Sequence, residues 1–510
     1  MAASDLPHQR RTSLGITNFA GYEGASRDSR NLRNWHTTSG DADSTINRDA
    51  AVLRSRAHDL SRNAPIVAGA IRTNTVNVVG TGLTLQSRID REVLPWLAPD
   101  QADALERQIE REWAMWAGSP ECDMARTSNF SQLQEIAMRG AMVAGDIFAF
   151  LPTFQTGNTP YHLRVQLVEA DRVSNPQGKT NSATLVAGVE KDPNSGAPTG
   201  YHVQSSHPGS MTRVEQKWTL HPAFGAKTGR RTVIHLYRPQ RAGQTRGVSE
   251  LAPIIDLVKQ LTRYTNAEVA AAVTSALFTV FVKTEMGDGL AQPTISPGSP
   301  AVSAGADDDF KMGHGNIVNL MPGESIETAT PGRPNVAFPM FVEAVLEQVG
   351  SSLGIPFELL RMHFSASYSA SRAALLEAQK GFRSVRQWLA SSFCQPIYET
   401  WFTEAVALGR ISAPGFIDGD FSVRAAYLGS EWVGPSFGNI DPLKEVKAAQ
   451  LRISEGLSTI SAESTQNGRD FDADHAQRAK EQRMRLESGL VQPVVIEETS
   501  EDERPDEDDK

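Results

Sequence analysis

Apolar residues along this chain recur at two spacings, and the switches between them divide it. In DAAVLRSRAHDL, Val52, Leu53 and Leu60 sit among Arg54, Arg56 and His58, which predicts a short basic helix stopped at Asn63-Ala64-Pro65. Pro65 then opens a second helix through Ile66, Ala70 and Ile71. Val78 to Leu85 predicts a strand broken by a glycine turn, and Gln101 to Trp116 a helix. From Gly145 to Leu236 short β-branched and aromatic runs (IFAFL, HLRVQLV, TVIHLY) alternate with Asn, Pro and Gly turns, so this part is mainly β.

Ser249 can cap a long helix whose first turn tolerates Pro253 and which runs through Ile254, Val258 and Leu261 into AEVAAAVTSAL. Phe278 to Val282 and Ile317 to Leu320 have strand chemistry, on either side of a Pro/Ser/Gly loop from Gln292 to Phe310. Phe338, Phe341, Val342, Val345 and Val349 form a helical stripe ended by Gly350 and Gly354, and LGIPFELLRMHFSASYS follows without helical period.

From Ala370, residues Leu375, Ala378, Phe382, Val385, Leu389 and Phe393 step by three or four. At about 100° per residue they make one stripe, while Arg372, Lys380, Arg383 and Arg386 fall within an arc of roughly 120° on another face. Pro396 should bend or break this helix near Ser392 to Gln395. Phe416 to Tyr427 has strand character, KEVKAAQLRISEG is a helix started at Asp441-Pro442 and closed by Gly456, and Asp472 to Leu486 is a last charged helix. Residues 1 to 49, rich in Ser, Asn, Asp, Gly and Arg, are expected to be an extended arm. The end from Glu497 is expected to be disordered.

Charge changes the picture in one respect. The chain of 510 residues carries −10, but the nine acids and two bases from Glu497 to Lys510 hold −7 of it, which leaves −3 for the rest. A dense phosphate-gripping surface would show as a cationic excess, so the body is not a strongly basic duplex-binding domain. The most basic window, Met211 to Arg246, has eight bases against Glu215 alone.

Candidate chemistry is sparse. Cys122 and Cys394 lie far apart, so neither a disulfide framework nor a thiolate metal cluster is expected. HExxH, CxxC and EF-hand patterns are missing, and no metal or cofactor is predicted. Val173 to Thr180 ends like a phosphate-binding loop, but the first glycine is absent and strand-like residues follow, so a surface turn is the better reading. Neither a secretory signal nor a run of about 20 apolar residues is present; the longest, Val269 to Val282, is too short to span a bilayer. Nothing argues for catalysis.

Several segments together resemble the portal proteins of tailed bacteriophages, specifically the lambda-type family. They are RSRAHDLSRNAPIVAGAI (54–71), NVVGTGLTLQS (77–87), RGVSELAPIIDLVKQLTRYTNAEVAAA (246–272), LGIPFELL (353–360), SYSASRAALLEAQKGFRSVRQWLASSFCQPIYETWF (367–402) and IDPLKEVKAAQLRISEGLSTISAESTQNGRD (440–470), in the family's order. The resemblance implies an α+β portal-type fold: a mixed α/β wing, helical stem, small β-containing clip and helical crown, assembled as a ring, usually of twelve subunits. It implies an arm with a short basic helix at 1–64, a wing at 65–246 and 411–440 and a stem at 247–278 and 336–352. The clip is then at 279–335, the channel loop at 353–369, the long kinked helix at 370–410, the crown at 441–490 and the acidic tail at 491–510.

The implied function is a DNA conduit at one capsid vertex, for genome packaging and ejection, that docks a terminase, a major capsid or scaffold protein, and head-tail adaptors. The implied place is the virion, after assembly in the host cytoplasm and without a membrane. Channel contacts to double-stranded DNA are expected from Arg361, His363, Ser365, Ser367 and Ser369, where short hydroxyls and one cation can touch phosphates without holding them. Lys259, Arg263, Arg372, Lys380, Arg383 and Arg386 are weaker candidates, because a solvated or subunit-facing stripe explains the same charges. Two other readings remain open: a nucleotide-hydrolysing packaging subunit, and an adaptor with no DNA channel of its own.

Overall fold

The computed structural model describes residues 22–26, 29–155, 159–212, 215–276, 280–284, 324–328, 337–364, 367–436, 438 and 442–490. Helices α1 (Ala42–Asn47), α2 (Ala50–Asn63) and α3 (Pro65–Val78) lead into strand β1 (Thr84–Ser87), then α4 (Pro99–Ala117) and α5 (Phe130–Ala144). The β region follows: β2 (Asp146–Phe150), β3 (Gln166–Glu169), β4 (Leu185–Val186), β5 (Val189–Lys191), β6 (Pro198–Gln204), β7 (Trp218–Pro222) and β8 (Val233–Tyr237). Next come α6 (Ile255–Ala276), β9 (Val280–Thr284), β10 (Glu324–Thr328), α7 (Phe338–Leu353), α8 (Phe357–Arg361), α9 (Tyr368–Leu389) and α10 (Gln395–Ala407). Helix α11 (Phe421–Tyr427), strand β11 (Ser430–Val433) and helices α12 (Pro442–Ser454), α13 (Ile460–Gln466) and α14 (Phe471–Glu487) complete an α+β fold.

Among the described strands every ladder is antiparallel and the sheets are open: β3-β2-β8, β4-β5-β6-β7, and the pairs β1-β11 and β9-β10. The pair β1-β11 joins segments on either side of the whole β region, with Leu85 opposite Trp432. Beside it lies the main core, where α4, α5 and α10 meet around Trp113. Its ring centroid is 5.0 Å from Trp116, 5.1 Å from Phe130 and 5.2 Å from Trp401, with edge-on contacts to the last two.

A buried ion pair ties the β region to the start of α6. Arg246 donates from Nε to Asp146 Oδ2 at 2.5 Å and from Nη2 to Oδ1 at 3.1 Å. Its remaining N–H groups reach the carbonyls of Ala170, Val173 and Ala187 at 2.7–2.9 Å, so a guanidinium only 2% exposed is fully satisfied. His235 shares Asp146 Oδ2 at 3.0 Å and stacks on Phe148 at 4.2 Å. Burial alone would raise the Asp146 pKa; Arg246 and His235 outweigh it and hold the carboxyl well below its usual range.

The structure corrects several expectations. The arm is not wholly extended, since Asp41 caps the short helix α1 and Asp43 accepts from Thr245 N at 2.8 Å. Val78 and Val79 belong to the end of α3, and the strand starts only after Gly82. Ser249 Oγ accepts from Leu251 N at 3.2 Å, but the helix proper begins at Ile255, after a 3-10 turn over Ala252–Ile254. Gly350 lies inside α7, where an added Cβ would come 2.5 Å from the Ile355 carbonyl oxygen; the left-handed Gly354 ends the helix.

Phe416 to Tyr427 is not a strand. Asp420 accepts from Val423 N at 3.0 Å and starts α11, and the strand of this part is β11. Ahead of Pro396 the α-helix is interrupted where a bend or break was expected, and the interruption takes the form of a π-turn over Ala390–Cys394. There Gln395 N donates to Ala390 O five residues back, and Pro396 begins α10 as a first-turn residue. Helices α5 and α13 were not anticipated. The Gln292 to Phe310 loop, the Ile317 to Leu320 strand and the acidic tail lie outside the described residues.

Candidate nucleic-acid interface at the helix junction

Helices α6 and α7 pack as a pair through Leu261, Val345 and Leu346, and Tyr264 sits edge-on to Phe341 at 5.0 Å. Gly354 reverses the chain at the end of α7, and Ile355 N returns to the Gly350 carbonyl at 2.9 Å. The expected loop therefore contains helix α8, started after Pro356. Leu360 explains why this turn forms: its side chain packs into the α6–α7 contact and into the neighbouring core of α2, α3 and α5, so apolar burial stabilises a helix too short to stand alone. Met362, left-handed at φ 54°, ends it.

Arg361, the last residue of α8, places its guanidinium 2.6 Å from Glu343 Oε1 on α7 and 5.0 Å from the centroid of the Phe357 ring. It remains partly exposed, held to one side by two contacts. His363 is exposed, with its backbone N–H bonded to Glu358 O at 3.0 Å. Ser365 lies outside the described residues. Ser367 is a helix cap, its Oγ accepting from Ala370 N at 3.4 Å, and Ser369 belongs to the first turn of α9. The described part of the polar stretch thus divides into a helix end, the exposed residues Met362 to Phe364, and a capped helix start.

The cationic stripe of α9 is not one free surface. Arg372 pairs with Glu445 of α12 at 2.7 Å, and Lys380 with Glu377 at 2.5 Å. Arg386 points into the protein and donates to the carbonyls of Asn77 at 2.8 Å, Val78 at 3.2 Å and Pro435 at 2.9 Å. Burial, with some help from Arg383, pulls its pKa down to about 10, so it stays charged at neutral pH while serving as a structural tie. Arg383 is exposed on the outer side. On the stem pair, Lys259 lies 3.8 Å from Asp59, and Arg263 is exposed with no ion-pair partner among the described residues. Part of the basic window from Met211 is likewise spent within the fold, since Arg238 pairs with Glu250, Arg241 holds the Gly40 carbonyl and Arg246 is buried.

No group of three or more His, Cys, Asp or Glu residues fit to hold a metal occurs among the described residues. No described helix is long and apolar enough to cross a membrane. The junction can offer Arg361, His363, Arg263 and Arg383 as dispersed cationic or polar groups. Dispersed contacts of this kind suit a sliding polyanion better than a bound one.

A family model for phage portal proteins of the lambda family matches residues 28–386, and the chain belongs to that family. It is thus a portal protein, of a structural rather than enzymatic family, and a virion component. Portal protein B of Escherichia phage lambda is 27% identical over 500 residues, covering 94% of this chain and 92% of the relative. The portal protein of Escherichia phage N15 is 26% identical, covering 95% and 93%. Among solved structures, a chain from the neck of an empty gene transfer agent particle aligns over 83% of this chain and 94% of its own length. Its TM-score is 0.40 and its identity 14%.

Proposed function

We propose that twelve copies of this chain close into a ring whose bore passes double-stranded DNA during packaging and ejection. The observation that carries this reading is the junction between α7 and α9: a helical pair ends in a tight turn that presents Arg361 and His363 without a dense cationic groove. A conduit needs contacts weak enough to be broken at every step, and the body charge of −3 outside the tail is consistent with that. In this reading 65–246 and 411–440 are the wing and 247–278 and 336–352 the stem. The clip is 279–335, which meets the packaging terminase and later the tail adaptors; 353–369 borders the channel, 370–410 is the helix above it, and 441–490 is the crown.

Electron microscopy of the purified protein tests the reading. A closed ring with a duplex-wide bore is expected; a monomer, or a ring too narrow for duplex DNA, would overturn it. Nucleotide turnover by the same preparation should stay at background, and turnover abolished by Lys179→Ala would favour a packaging motor instead.

A further inference from the structure

A cavity of about 280 Å³ lies between strands β5, β6 and β8 and the segment 243–245. Two polar side chains, each more than nine-tenths buried, line it with a hydrogen-bonding atom to spare. Tyr201 of β6 is 2% exposed, and its hydroxyl makes no hydrogen bond among the described residues. The orphan hydroxyl of Tyr398 is sealed inside the main core; that of Tyr201 is not sealed, and the cavity is where it meets solvent.

His235 of β8, with a side chain 7% exposed, is the second. Its Nε2 lies 3.0 Å from Asp146 Oδ2, and an ionised carboxylate can only accept, so Nε2 carries the ring proton. Burial lowers the His235 pKa below 6.5 and keeps the ring neutral. Nδ1 is then an acceptor, without a partner among the described residues and, like the Tyr201 hydroxyl, not sealed. The two rings stand edge-on with centroids 5.7 Å apart, so donor and acceptor sit side by side.

Charge narrows the chemistry further. Of the two cations in the lining, Lys191 is neutralised by Asp43 at 3.5 Å, while Arg231 has no ion-pair partner among the described residues. Burial pushes the Tyr201 hydroxyl up to about 12, and Arg231 is the foremost influence against that rise, which places the free cation near the free hydroxyl. A ligand that answers all three groups accepts from Tyr201, donates to His235 Nδ1 and brings negative charge to Arg231. A phosphate that keeps one P–O–H does this, whereas sulfate and the phosphodiesters of a DNA backbone only accept. The volume lies just under the range of about 300–1,000 Å³ usual for small-molecule pockets, so the space suits an ion-sized group. We propose that this cavity binds a phosphate in its protonated form, as the free ion or as a terminal monoester, a binding activity separate from the portal role.

Calorimetry on the full-length assembled protein tests this with inorganic phosphate, sulfate and dAMP as probes, at about pH 6.5, where part of a phosphate monoester still carries its proton. Phosphate should bind at least about tenfold more tightly than sulfate, because sulfate leaves the Nδ1 acceptor unpaired. Tyr201→Phe should weaken phosphate binding by at least about tenfold with an unchanged melting temperature, since the hydroxyl it removes makes no bond in the free protein. Should Tyr201→Phe not fold, Arg231→Gln carries the same expectation for binding. Saturation by inorganic phosphate without dAMP binding identifies the free ion as the ligand, whereas dAMP binding at the same site admits a monoester end. Equal affinity for phosphate and sulfate, affinity unchanged in the variants, or no binding of phosphate or dAMP at millimolar concentration would overturn the proposal. Ring formation seen by microscopy is independent of all these outcomes.

Discussion

The guanidinium of Arg361 is held 2.6 Å from the carboxylate of Glu343, a residue of the preceding helix. Both side chains are partly exposed, so the pair adds little stability and mainly sets where the cation points. Arg361→Ala should therefore change stability by no more than about 1 kcal/mol and leave assembly intact while lowering DNA packaging or retention. Nuclease-protected DNA per particle reads the effect. Normal packaging in this variant would remove Arg361 from the channel.

Arg386 ties the end of α3 to the end of β11 through three carbonyls. Gly434 permits this approach, because an added Cβ would meet the Arg386 Nε at 2.4 Å. Arg386→Met should cost about 2–3 kcal/mol, since it strands acceptors in a partly buried place, and Gly434→Ala should also destabilise. Thermal unfolding checks both; an Arg386→Met variant as stable as the parent would show that water replaces the tie at no cost.

Acid should destabilise the fold through Asp146 and His235. Burial pushes the His235 pKa below its ordinary 6.5 despite the pull of Asp146, so the unfolded chain takes up the proton first and stability begins to fall as pH drops through 6.5. Asp146, held well below the usual carboxylate range, contributes stability that is intact above that range and lost at lower pH. His235→Gln should flatten the melting-temperature profile between pH 7 and pH 5. Asp146→Asn should cost about 3–5 kcal/mol at neutral pH by leaving Arg246 buried without its counter-charge. A profile that is flat in the parent protein would contradict this account.

Glu110 predicts the opposite slope. Its Oε1 accepts from Ser87 N at 2.9 Å, and burial raises its pKa from 4.5 to about 7, with further repulsion from Asp470 and Glu106. The folded state thus holds a proton that the unfolded chain has released, and this stabilisation is complete below pH 4.5 and lost as pH rises to about 7. Glu110→Gln keeps the acceptor and removes the charge, so its melting temperature should exceed that of the parent at pH 8 and match it at pH 4.5. An equal difference at both values would assign the effect to packing instead.

Local signals determined much of this protein. Pro65, the stripe from Leu375 to Phe393, and Asp441-Pro442 with Gly456 marked helices because capping, proline geometry and a step of three or four residues act within a few residues of chain. Helix α5 is marked in the sequence only by the capping box of Asn129 and Gln132, and its run of Ala, Met and Gln carries a weak apolar stripe. Alternation from Phe416 to Tyr427 misled, because burial of Ala426 and Tyr427 against the main core rewards a helix there. The family, too, was legible, in a succession of segments of which none is a signature alone.

Only the tertiary structure decided what each charge does. Arg372, Arg383 and Arg386 share one helix and one arc, yet one meets a carboxylate on α12, one stays exposed and one is half-buried against carbonyls of α3 and Pro435. Helix α8 and the π-turn before Pro396 likewise exist because Leu360, Phe393 and Cys394 find cores built from distant segments. Such partners lie tens to hundreds of residues away in sequence, and the free energy that selects them comes from burial and paired charge, which no local spacing encodes.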